Sequence, residues 1–155
     1  METWREWIRK LVPLLQNPGF PSTTSDTGSV TWTIDKCQCD VCWLRLDFDT
    51  FNILGTGATT ETDGGVCLDD LTITSTNPNT IPTICGQNAG QHSESSDSFL
   101  SNLVQLHLHA TVYVDVGDQC SDSATLTFNF DATDATTGRS WEIKVTQVEC
   151  WNQNA

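Results

Sequence analysis

Two histidines stand two positions apart in the segment His107-Leu108-His109. Residues i and i+2 of a strand point to the same face, so this spacing would place both imidazoles side by side. Paired imidazoles bind zinc, copper or iron in jelly-roll enzymes, and a metal-dependent enzyme using His107 and His109 is one hypothesis for the chain. No glutamate follows at a short distance, however, and the one other histidine is His92. We therefore prefer to interpret the pair as a polar strand face.

Other catalytic signatures are absent from the sequence. It contains no G-x-S-x-G nucleophile elbow, no H-E-x-x-H metal motif and no glycine-rich phosphate loop. Aspartates are so frequent that no pair of them stands out as a general acid and base. The sequence therefore predicts a protein that is not an enzyme.

Cysteine is unusually frequent for a chain of 155 residues. The seven cysteines are Cys37, Cys39, Cys42, Cys67, Cys85, Cys120 and Cys150. Disulfides persist in oxidising compartments, so this count predicts a secreted, extracellular protein. Cys37 and Cys42 could pair across a tight turn, and we interpret Cys39 and Cys120 as unpaired. An odd count leaves at least one thiol that is free or bonded to another molecule, which would be a covalent partner.

The charge balance limits the classes of partner. The chain has 20 acidic residues against seven lysines and arginines, for a net charge of −13. Such a surface repels nucleic acid and anionic membranes, and neither is expected as a partner. No apolar run approaches the roughly 20 residues of a membrane-spanning helix. Cations and basic proteins remain as candidates.

Residues 1–15 differ in character from the rest of the chain. Charged side chains interrupt the segment, and it lacks the apolar core and cleavage site of a signal peptide. Thr3 and Glu6 have the spacing of a capping box, and Pro13 would end the helix. Three interpretations follow: a short amphipathic helix packed on the domain, a fragment whose true start lies upstream, or a mispredicted first exon. We favour the last two.

From residue 16 to residue 150 the chain is expected to form one domain of short strands. Strict alternation of apolar and polar residues marks several of them, separated by turns rich in Gly, Pro and Asn. This pattern predicts an antiparallel β-sandwich. Trp43 lies on the outward, acidic face of one strand and is the best exposed aromatic for binding a partner. The apolar positions that alternate are Leu44, Leu46, Phe48, Leu71, Ile73, Leu106, Leu108, Ala110, Val112, Val114, Val116, Leu126, Phe128, Phe130, Trp141, Ile143 and Val145.

Several of these segments, in this order, resemble CUB domains, closest to those of secreted invertebrate proteins. Asn17-Pro18-Gly19-Phe20-Pro21-Ser22 is similar to the S-P-N-Y-P-S element that opens the family, and Val30-Thr31-Trp32-Thr33-Ile34 is similar to its C-x-W-x-I strand. The resemblance also covers residues 44–53, Cys67 with Asp69 and Asp70, Cys85-Gly86, residues 128–131 and residues 139–145. It implies a CUB-like, jelly-roll type sandwich that serves as a non-catalytic extracellular module. Such a module would recognise a protein or a glycan through loops at one end.

The resemblance also implies one disulfide. It pairs Cys67 with Cys85, whereas the other disulfide of the family is absent because Val30 stands at one of its positions. Residues 93–111 are an atypical insertion relative to the family, either a genuine hairpin or an unspliced stretch of the gene model. Residues 151–155 are a tail.

A calcium site is the second implication of the resemblance. Many CUB domains bind calcium through three clustered carboxylates. Here these would be Asp69 or Asp70 together with Asp131, whereas Leu54 replaces the glutamate of the family. Because one of the three anionic ligands is missing, we favour the interpretation that these are solvated loop acids. No cofactor is certain, and calcium is the one candidate.

Overall fold

The computed structural model describes residues 13–56, 66–77, 81–88 and 110–150. These residues form strands and no helix, which confirms the predicted all-β class. One sheet has the strand order β1-β7-β3-β5 and the other the order β2-β6-β4, and all pairs are antiparallel. The strands are β1 (Leu14–Gln16), β2 (Gly28–Asp35), β3 (Val41–Asn52), β4 (Asp70–Ser75), β5 (Ala110–Asp115), β6 (Ser123–Phe130) and β7 (Ser140–Glu149).

The core lies between the two sheets and follows from the alternation in the sequence. Because successive side chains of a strand point to opposite faces, every second residue of β6 is buried. Burial of a large apolar side chain contributes about 1.5–3 kcal/mol, so this face drives the two sheets together. Trp141 of β7 stacks on Phe128 of β6 at 4.7 Å between ring centroids and links the sheets at the centre. The buried apolar residues include Leu44, Leu46, Phe48, Phe51, Leu71, Ile73, Val114, Leu126, Phe128, Trp141, Ile143 and Val145.

A bulge interrupts the alternation of β3. The register between β3 and β7 shifts between Phe48 and Thr50, so Phe48 and Phe51 both point into the core although they are three residues apart. Their rings meet edge to face at 5.1 Å. The bulge extends the inward face of β3 to the end of the sandwich where Leu54 lies.

The first strand lies partly within the segment that the sequence analysis separated from the domain. Leu14 and Leu15 belong to β1, which pairs with Lys144 and Ile143 of β7. Leu15 is buried in the core. The domain therefore includes residues before the predicted boundary at residue 16, and the helix predicted within residues 1–15 falls mainly outside the described residues.

The predicted insertion, residues 93–111, is described only at its end, where β5 begins at Ala110. His107, His109 and the tail of residues 151–155 lie outside the described residues. Within the described ranges, no helix is long and apolar enough to cross a membrane.

Candidate functional site

Three disulfides connect the ends of the strands. They join Cys39 to Cys120, Cys42 to Cys150, and Cys67 to Cys85. Two of them lie at the end of the sandwich where β3 begins, which we call the Trp43 end. The third lies at the opposite end, which we call the Asp69 end.

The predicted pairing of Cys37 with Cys42 is wrong. Val41 of β3 pairs with Glu149 of β7 and Trp43 pairs with Val148, so Cys42 is the extra residue of a bulge at this end of the sheet. Its Cα atom lies 4.8 Å from that of Cys150. Cys37 is exposed and is the free cysteine of the described residues. Desolvation, together with the negative charges of Asp40 and Glu149, raises the pKa of its thiol.

Cys39 and Cys120 form a disulfide, contrary to the interpretation that they are unpaired. Cys39 lies in the loop between β2 and β3, and Cys120 in the loop between β5 and β6. Strands from both sheets end here, so the bond fixes two loops that are 81 residues apart in the sequence.

A buried ion pair occupies the Asp69 end. The Arg139 guanidinium donates to both oxygens of Asp69, from Nε to Oδ2 at 2.6 Å and from the second terminal nitrogen to Oδ1 at 3.0 Å. Both side chains are fully buried. The backbone N–H groups of Leu54 and Asp131 donate to the same carboxylate, each at 2.8 Å. The pair therefore joins the ends of β3, β4, β6 and β7.

The bonds at Asp69 determine its charge state. Burial acts to raise the pKa of this carboxyl, but the hydrogen bonds from Arg139, Asp131 and Leu54 together outweigh it, and the pKa is lowered. Asp69 in turn raises the pKa of Arg139. Both groups are ionised at neutral pH, and each satisfies the charge of the other.

This geometry does not fit the calcium site that the resemblance implies. Both oxygens of Asp69 already accept from Arg139 and the backbone, so a guanidinium stands where a cation would have to bind. Asp70 accepts from Asn129 and Thr72, and Asp131 accepts from Thr133.

Leu54 offers only its backbone N–H to this cluster. Across the described part of the chain, no three Asp, Glu, His or Cys side chains lie close enough to hold a metal ion.

The Trp43 end contains an open cavity of about 460 Å³. Trp43 of β3 forms part of its wall and is 37% exposed, as the sequence analysis predicted for this side chain. Asp115, at the end of β5, lies directly opposite Trp43 in the register of the two strands. The remaining lining residues are Cys42, Thr76, Asn77, Gly117, Asp118 and Asp122.

Gly117 lines this cavity and fixes the conformation of the chain just after β5. Its φ of 95° lies in the left-handed region, and a Cβ here would collide with the Asp122 carboxylate, so glycine is required. Its N–H donates to Oδ1 of Asp115 at 2.9 Å, and its carbonyl accepts from Nζ of Lys36 at 2.6 Å.

Tyr113 is a second exposed aromatic, which the sequence analysis did not select. It is 58% exposed and lies opposite Arg45 in the β3–β5 pairing, on the same outer face as Trp43. Its position in β5 could have identified it, because Tyr113 stands two residues before Asp115 and therefore on the same face of the strand. It is not part of the cavity wall.

The sandwich is similar to a solved structure, the CUB1-EGF-CUB2 domain of human MASP-1/3. The TM-score is 0.53 at 15% sequence identity, and the match covers 90% of this chain and 42% of that chain. The fold is CUB-like. This similarity confirms the family resemblance at the level of the fold. An identity of 15% is too low to carry binding or activity over from that protein.

No protein-family model matches the sequence, and no curated protein matches it. The chain spans less than half the length of the solved CUB structure. Three disulfides in a CUB-like sandwich are consistent with an oxidising, extracellular setting.

Proposed function

We propose that this chain is a non-catalytic, extracellular recognition module that binds a protein partner. The observation that carries the proposal is the CUB-like sandwich with disulfides at both ends. CUB folds serve as binding modules, and a rigid scaffold that presents loops at its ends is the usual arrangement for recognition. Support for extracellular residence comes from the bonding of six of the seven cysteines.

A protein partner is favoured over a glycan by the charge of the surface. The net charge of −13 gives the module a long-range attraction for basic proteins, which raises association rates. A neutral glycan would gain nothing from this field. The Trp43 end is the better candidate surface, because the Asp69 end has its buried carboxylate neutralised by Arg139.

The proposal is tested on arrays of extracellular protein domains and of glycans. The probe is the full chain with its disulfides intact, and the control is the same chain reduced and alkylated. We expect saturable binding to a small set of proteins that is lost in the control. Absence of any bound protein at micromolar concentration, or equal signals from both forms, would contradict the proposal.

A further inference from the structure

The cavity at the Trp43 end is negatively charged and has carboxylate oxygens available. Oδ1 of Asp115 accepts from the Gly117 N–H, Oδ1 of Asp118 from Nε2 of Gln119, and Oδ2 of Asp122 from the Gln119 N–H. Among the described residues, the second oxygen of each carboxylate receives no hydrogen bond. Three carboxylates line the cavity, and the Lys36 ammonium, which donates to the Gly117 carbonyl, offsets at most one of them, so the net charge there is negative.

The indole of Trp43 gives the cavity a feature that an acidic surface alone lacks. A tryptophan ring attracts a cation over its face more strongly than the other aromatic side chains do. Trp43 lies opposite Asp115, so a group resting on the ring would be within reach of a carboxylate as well. An aromatic wall beside carboxylates that each keep one oxygen without a hydrogen bond from a described residue is complementary to a cationic group on an apolar stem.

Covalent bonds hold the walls of the cavity in place. Cys42, which lines it next to Trp43, is bonded to Cys150. The loop that carries Asp118 and Asp122 also carries Cys120, which is bonded to Cys39. A site that is already ordered loses little conformational entropy on binding, so its affinity depends on contacts and not on loop closure.

We propose that this cavity receives the side chain of an arginine or lysine from the protein partner. The proposal rests on the proposed function, because the cation is presented by a protein. Arginine is expected to bind more tightly than lysine, since its planar guanidinium stacks on an indole while it donates in parallel to a carboxylate. A cavity of about 460 Å³ has room for either side chain.

The experiment follows the indole N–H signal of Trp43 by NMR in the ¹⁵N-labelled full chain. The signal is assigned from its loss in Trp43→Phe. The probe is the peptide Gly-Gly-Arg-Gly-Gly, with Gly-Gly-Lys-Gly-Gly for comparison and a citrulline peptide as the neutral control of the same shape. We expect a saturable shift with arginine, a weaker one with lysine and none with citrulline, and we expect added salt to reduce the shift.

Matched variants locate the site. Trp43→Ala should weaken binding of the arginine peptide about tenfold, and Asp118→Asn about threefold, as measured by calorimetry. Tyr113→Ala is the control, because it removes an exposed aromatic from the same sheet face outside the cavity. Circular dichroism of each variant checks that the sandwich is intact.

Three results would overturn the proposal. These are no shift of the Trp43 signal with arginine, an equal shift with citrulline, or a shift with a neutral oligosaccharide in place of the peptide. The peptide measurement does not use the natural partner, so it can fail while the protein array still identifies one. In that case the recognition module would stand and the cationic side chain would be excluded.

Discussion

Asp69 and Arg139 are the residues in which the chemistry of this chain differs most from that implied by the family resemblance. A carboxylate that the resemblance offers as a candidate calcium ligand accepts four hydrogen bonds from within the protein. Arg139 also donates to the carbonyls of Asp134 and Thr137, and it lies 5.4 Å from the centre of the Phe130 ring. The guanidinium thus orders the loop between β6 and β7 as well as neutralising Asp69.

Replacing Asp69 tests this assignment. Asp69→Asn leaves the Arg139 charge buried without its partner, and we expect a loss of about 3–5 kcal/mol in the free energy of unfolding. The measurement is urea unfolding at pH 7. Asp70→Asn is the control. Asp70 is only half-buried, so this substitution should change the free energy of unfolding by less than about 1 kcal/mol.

The same pair predicts a pH dependence. Because the pKa of Asp69 is lowered by folding, its stabilisation is fully present above the ordinary carboxyl pKa of about 4 and is lost as the pH falls through the folded value. The stability difference between the native chain and Asp69→Asn should therefore shrink when unfolding is repeated near pH 3. A difference that stays constant or grows would show that the ion pair is not its source.

Calcium provides an independent test at the residue scale. Since Arg139 occupies both oxygens of Asp69, we expect millimolar calcium to leave the unfolding temperature unchanged, and a chelator to do the same. Differential scanning calorimetry with magnesium as the control gives the answer. A rise of several degrees that is specific to calcium would contradict the conclusion that the Asp69 end does not bind this ion.

Among the secondary-structure elements, alternation in the sequence located β3 to β7, and the family resemblance supplied β2. Period two is strong in β3, β5, β6 and β7, where one face is buried. The sequence left Asp69 and Asp70 as alternatives, and the structure places Asp69 on the buried face with Leu71 and Ile73. The β1 strand was missed because three residues are too few to show a period. The bulge at Phe48 was also not visible, since it depends on the register with β7.

Disulfide pairing could be predicted only where the resemblance supplied it. The Cys67–Cys85 bond is present in the structure as the resemblance implied. Cys42 bonds to Cys150 across 108 residues because the antiparallel register of β3 and β7 brings them together, and no local spacing encodes that register. Arg139 was likewise missed as the partner of Asp69, 70 residues away.

We expect the loss of stability on removing a single disulfide to increase with the length of the loop that the disulfide closes. With the other bonds intact, Cys67–Cys85 closes a loop of 18 residues, and the chain-entropy estimate gives about 3 kcal/mol for it. Cys42–Cys150 closes a loop of roughly 33 residues through the Cys39–Cys120 bond, for which the estimate is about 4 kcal/mol. We therefore expect Cys42→Ala with Cys150→Ala to lower the urea midpoint more than Cys67→Ala with Cys85→Ala. The reverse order would mean that local packing at the Asp69 end outweighs loop length.

Across the whole molecule, the two ends of the sandwich differ in structure and in charge. The Asp69 end is closed by a neutralised ion pair and one disulfide, whereas the Trp43 end has two disulfides around an open acidic cavity. The net charge of −13 and the carboxylates at the Trp43 end are the two observations from which we propose a basic partner that binds there. Composition leaves basic proteins as candidate partners, a prediction that stays open, and it could not locate the cavity, which depends on the fold.

Non-reducing peptide mapping of the native protein is the most direct test of this account. The protein is alkylated without reduction, digested, and analysed by mass spectrometry. We predict three linked peptide pairs, Cys39 with Cys120, Cys42 with Cys150 and Cys67 with Cys85, and alkylation of Cys37 alone. Alkylation of Cys67 and Cys85 before reduction, or a peptide linking Cys37 to Cys42, would contradict the disulfide-linked CUB-like sandwich.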